Sequence, residues 1–257
     1  MKIRFAMLFI VTTLLGGCAS VPQHSVSLTN EVVSPKSGRI GVVMTALPKM
    51  ETRLPGADCL LCIAAASLMN SSLISHTKTL SYEDLPNLKV EVADALKGIG
   101  ADVVVIDDEI NIANLKSFAK KGVNVAEKDF TPLQEKYNVD RLLVINITAL
   151  GFVRTYSAYV PTSDPKGQLQ GLGYMINLRN NTYDWYQPVS IVKSAAQNWD
   201  EPPKFPGLTN AYFQALELGK ESFIHPFTSG QFGPQAQQAP EKISSLAEDA
   251  PRESKTK

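Results

Sequence analysis

The sequence predicts an α/β chain with α+β character: a mixed sheet with helices packed on it. Three observations carry this. Three β-branched apolar runs, Arg39 to Leu47, Ala101 to Asp107 and Asp140 to Arg154, alternate with stretches of helical periodicity. Strands separated by helices pair in parallel, so these three form a largely parallel set. Two further runs, Gln168 to Leu178 and Thr182 to Lys193, flank Arg179-Asn180-Asn181, whose asparagines tolerate positive φ, and read as an antiparallel hairpin.

Taken in order, Lys2 and Arg4 precede an apolar run from Phe5 to Leu15, and small residues then lead to Cys18. Eleven residues of helix, apolar except for Thr12 and Thr13, are too few to cross a bilayer core of about 30 Å, so this reads as a secretory signal, 1–17. Residues 18–37 are polar, carry Pro22 and Pro35, and read as a tether. The folded domain is expected over 38–227. It opens with the strand RIGVVMTAL, followed by a Pro- and Gly-containing loop over 48–57. Asp58 to Ser75, rich in Ala, Leu and Met, reads as one helix.

Ser81-Tyr82-Glu83-Asp84 has the form of a capping box. After it, Leu85, Leu88, Val92, Leu96 and Ile99 recur every three or four residues, giving a helix that Gly98 and Gly100 end. The strand ADVVVID follows. Residues 108–130 carry weak signals, with a short helix expected over 114–120. Thr131-Pro132 reads as N-cap and first residue of a helix ending near Tyr137, with Gln134 at the reciprocal position. Pro188 puts the second hairpin strand at a sheet edge or a bulge. Gly171 and Gly173 lie inside a strand and mark a bulge or close packing. Leu208, Tyr212, Leu216, Gly219 and Phe223 form the stripe of a last helix over 207–224. Residues 228–257, with Pro234, Pro240, Pro251, several Gln and many charges, read as a disordered tail.

Bulk properties narrow the function. The whole chain has 25 basic and 25 acidic side chains, and leaving out Lys2 and Arg4 gives 23 against 25. No long basic cluster is present, which argues against a nucleic-acid partner. No G-x-S-x-G, P-loop or metal-ligand cluster appears, so no catalytic set, no metal and no cofactor is assigned. Asp107-Asp108-Glu109 ends a strand and reads as a solvated loop, with cation binding as the alternative.

Two features carry chemistry. Cys59 and Cys62 stand at a predicted helix start. A structural disulfide pinning the preceding loop is the main reading. Free buried thiols and a thiol–disulfide oxidoreductase site are the alternatives. The aromatics Tyr156, Tyr159, Tyr174, Tyr183, Trp185, Tyr186 and Trp199 crowd the hairpin region. Strict alternation would place Tyr183 and Trp185 on one face. They read either as loop-covered packing or, with Tyr156 and Tyr159, as a candidate interaction surface.

Leu15-Gly16-Gly17-Cys18 resembles the lipobox of bacterial lipoproteins. That resemblance implies cleavage before Cys18 and acylation of its thiol and amino terminus, anchoring the chain to a membrane. Ala19 and Ser20, with no Asp after Cys18, resemble outer-membrane lipoproteins, with the domain facing the periplasm. The segments RIGVVMTAL, DALKGIG with ADVVVID, RLLVINITAL, the hairpin at Asn180-Asn181 and LTNAYFQALELGK together resemble the domain shared by the TolB amino-terminal domain, the curli-secretion lipoprotein and lipoprotein activators of penicillin-binding proteins. These families are mostly non-enzymatic. They bind other envelope proteins or assemble into rings, so the resemblance implies an envelope protein partner or a homo-oligomer.

Overall fold

The computed structural model describes residues 23–228, so the signal, Cys18 and the 229–257 tail lie outside the described residues. The expected sheet is present. Strands β1 (Ile40–Met44), β3 (Val103–Val105) and β4 (Arg141–Val153) are mutually parallel. The long hairpin β7 (Lys166–Asn177) and β8 (Thr182–Ser194) adds antiparallel to β4. The order is β3-β1-β4-β7-β8.

An additional strand, β2 (Met50–Arg53), lies within the segment expected to be a loop. It pairs in parallel with Leu150–Val153 of β4, beyond the end of β1. Its approach is close: at Gly151 (φ +118°) a Cβ would collide with the Glu51 carbonyl oxygen, so only glycine fits. A small hairpin, β5 (Tyr156–Ser157) with β6 (Val160–Pro161), follows β4.

The sheet buries both faces. One face carries Ile40, Val42, Leu143, Ile145, Met175 and Trp185. It packs against α4 (Leu88–Gly98) and α6 (Pro206–Thr228), with Val92, Leu96, Tyr212 and Phe223 at the centre. The other face carries Val43, Leu142, Val144, Tyr174 and Ile176. It is covered by Ile106, Phe130 and Leu133, from the irregular 106–131 segment and α5 (Pro132–Tyr137). The glycines of β7 make room for large rings. A methyl on Gly173 would lie 2.5 Å from the Trp185 ring, which fits the close-packing reading.

Several local expectations change. Residues 23–37, read as tether, pack on the domain. Val26 bridges Tyr186 on the free edge of β8, Leu28 and Val33 are buried, and Asn30–Val33 forms α1. The expected helix over 114–120 is replaced by a 3-10 turn, Ile112–Asn114, and a bridge between Ser117 and Lys128. Thr131 and Pro132 stand as N-cap and first residue of α5, as expected, but the Thr131 backbone is αR and its side chain caps no helix amide. Asp129 instead accepts from the Thr131 amide and hydroxyl. The capping-box residues lead into a 3-10 turn, Leu85–Asn87, where Ser81 donates to Glu83. Asn181 (φ +60°) turns the long hairpin as expected. Its side chain also bonds Ala126, Lys128 and Phe130 of the covering segment.

Candidate functional site

The single helix expected over 58–75 is two: α2 (Leu60–Met69) and α3 (Ser71–Thr77), bent by 77°. The cause is Asn70, a buried polar side chain at the junction. Its amide donates to the Ala66 carbonyl and to the Tyr156 hydroxyl, at 2.7 and 2.6 Å, while its oxygen accepts from Arg154 at 3.0 Å. Those partners turn the chain aside where propensity alone would continue it.

α2 begins at Cys59, whose extended backbone (φ −93°, ψ 154°) makes it the N-cap. Its sulfur accepts the Cys62 N–H at 2.9 Å. Cys59 and Cys62 are joined as a disulfide, with Cα atoms 4.9 Å apart, so the first turn is closed covalently. Cys59 is exposed and Cys62 is buried. The Tyr159 hydroxyl lies 3.7 Å from the Cys59 sulfur, tying the β5–β6 tip to the helix start.

The inner side of α2 is thin. Only Cys62 and Ala66 are buried, against Leu54, Ala57 and Tyr156. The outer side is apolar and bare: Leu60 is 88% exposed, Leu61 73%, Leu68 76% and Met69 57%, with Ile63 and Ala64 exposed between them. Tyr159 and Val160 are exposed beside it on the small hairpin. Residues 59–77 contain no Asp, Glu, Lys or Arg. A helix apolar on every side belongs inside a core, a membrane or an interface. Contiguous bare apolar surface of this kind marks a contact site. Sequence reasoning placed the helix but not its exposure. The available signal was the nineteen charge-free residues, too many for a helix with a solvated face.

The aromatic candidates divide. Trp185 is 3% exposed, edge-on to Phe227 and over Gly173, so it belongs to the core and not to a surface. Tyr156 is likewise buried. Tyr183 lies on the opposite face from Trp185. Met175 pairs with Trp185 but Ile176 pairs with Tyr183, leaving Asp184 as a bulge residue that resets the alternation. Asp184 is held by Arg141 at 2.7 Å. Tyr183 packs with Tyr174 and Tyr186, and burial pushes its hydroxyl up to about 12. Only Tyr159 of the four reaches the α2 surface.

Two residues of the acidic triplet meet cations, with Asp107 facing Lys89 at 3.7 Å and Asp108 accepting from Lys136 at 3.1 Å. Among the described residues, no three His, Cys, Asp or Glu side chains converge as a metal group. A shallow depression of about 340 Å³ between α4 and α6 is lined by Glu91, Glu217, Lys220 and His225. Lys220 there pairs with Asp84, Glu91 and Glu217.

No family model and no curated protein matches the chain. Several solved structures bear some likeness to it, three of them as follows. The PelC dodecamer from Paraburkholderia phytofirmans is 11% identical over 81% of this chain and 97% of that one, with a TM-score of 0.32. Protein XCC0632 from Xanthomonas campestris is 12% identical over 82% and 97%, with a TM-score of 0.37. Lipoprotein GNA1162 from Neisseria meningitidis is 15% identical over 62% and 84%, with a TM-score of 0.24. At these scores the likeness carries no functional argument.

Proposed function

We propose that this chain is a non-enzymatic cell-envelope protein. Cys18 anchors it by lipid to the outer membrane, with its domain in the periplasm. It works by holding a protein partner against the outer face of α2. The observation that carries this is the bare apolar side of a covalently capped helix. Covering a side chain such as Leu60, Leu61 or Leu68 fully contributes about 1.5–3 kcal/mol, so an apolar partner surface gains several kcal/mol there before the costs of association. The disulfide and the Asn70 network hold that face in one shape, which limits the ordering cost.

The test is a photoreactive residue placed at Leu61, with the same residue at exposed Lys97 on α4 as control. Irradiating intact envelopes is expected to give a defined protein adduct from position 61 and none from position 97. Absence of any adduct from position 61 overturns the proposal.

A further inference from the structure

The reading of α2 as a contact surface leaves its occupant open. Resting on that reading, we infer that the occupant is a second copy of this chain, with two α2 helices crossing antiparallel about a twofold axis near Ala64 and Ala65.

The face is self-complementary in size. Leu60 and Leu61 stand at one end, Leu68 and Met69 at the other, and Ala64 and Ala65 in the middle. A twofold axis between Ala64 and Ala65 sets Leu61 of one copy toward Leu68 of the other and brings alanine to alanine at the crossing. Small residues at the crossing let the backbones approach, and an inclined crossing opens the ends where the larger side chains fill the space. Such an isologous contact needs the same patch on both partners, which one face supplies. The absence of charge over 59–77 fits the charge-depleted core of an interface. Within 59–77 there are no like charges to meet across the twofold axis.

The bilayer fits less well. α2 carries no Lys or Arg for anionic headgroups. It also sits far from the point at which the described chain begins. Gln23 bonds Asn124, whose carbonyl accepts from the Tyr183 amide at the start of β8. That point is level with Leu142 of β4, across the Ile176 pairing, whereas α2 is tied to Arg154 just past the other end of β4. Twelve residues of strand separate the two levels, about 40 Å. They also lie on opposite edges of the sheet, because β8 is one edge and β2 flanks β4 on the other side. The chain from Cys18 to Gln23 reaches at most about 18 Å. An anchor on Cys18 would therefore hold the Gln23 end of the sheet near the lipid and would not by itself seat α2 in the bilayer.

The experiment uses the full-length lipidated chain in envelopes. Two differently tagged copies are co-expressed, one with the photoreactive residue at Ala64. An adduct containing both tags, lost when Leu68→Glu is introduced, supports the twofold pair. In detergent solution that substitution, on a side chain already exposed, is expected to raise the dimer dissociation constant at least about 30-fold. An adduct of one tag with a different protein overturns the inference while leaving the contact-surface reading standing. Lipid adducts alone, or no adduct, overturn both.

Discussion

At the scale of single residues, His76 shows how the fold sets a charge state. It sits on α3, its Nε2 2.7 Å from the Thr209 hydroxyl of α6, with its ring between Phe152 and Phe205. Burial, with Lys204 nearby, holds its pKa below the ordinary value of about 6.5. The unfolded chain therefore takes up a proton at a higher pH than the folded one. The stability this neutral ring contributes is complete above the ordinary value and is lost as pH falls through the folded value. Thermal unfolding of the wild type is expected to lose more between pH 7.5 and 5.5 than that of His76→Gln; equal losses would sink the assignment. Lys220 runs the other way. Burial would lower its pKa, but the Asp84 hydrogen bond and the charges of Glu91 and Glu217 raise it, so it stays charged while it ties α6 to the start of α4. Neither residue was singled out in this role by the sequence, because each depends on partners more than 100 residues away.

Among the elements, legibility followed locality. The runs of β1, β4, β7 and β8 were readable because apolar patterning is local, and so were the turn at Asn181 and the edge position of Pro188. β2 was missed because four residues, Met50–Arg53, carry one buried side chain and pair with a strand about 100 residues on. The bulge at Asp184 was missed because neither Gly nor Pro marks it, and the arginine that holds Asp184 lies 43 residues away. The break of α2 from α3 was missed for the same reason, since Tyr156 and Arg154 are what occupy Asn70.

The disulfide of α2 was readable from spacing, and its contribution follows from its size. A bridge closing so short a loop restrains the unfolded chain by about 2 kcal/mol on the chain-entropy account. In Cys59→Ser/Cys62→Ser, the new Ser at the N-cap still accepts the helix amide, which returns part of that loss. A fall of a few degrees in melting temperature, with the α2 amides exchanging faster than those of β4, is the expected result. An unchanged exchange pattern would show that the bridge does not hold the helix.

For the whole molecule, the parallel set plus hairpin was legible, because connection rules leave few arrangements for that order of elements. The covering of the second sheet face was not, since the 106–131 segment has no period and is fixed by Asn181 and by packing. Gln23, where the described chain begins, and the exposed face of α2 stand at opposite ends of the sheet, so the proposed anchor and the proposed contact have separable tasks. On the proposed anchoring, confinement to a membrane surface raises the local concentration of the domain, which favours a weak contact without adding any atom to it. Replacing Cys18→Ala removes the thiol that would be acylated. The chain is then expected to move from the membrane fraction to the soluble periplasmic fraction and to lose labelling by a palmitate analogue. At the same expression level, the adduct from position 61 should fall but persist, and raising expression should restore it. If the adduct disappears and added protein does not bring it back, the membrane itself forms part of the contact and the two tasks are not separate.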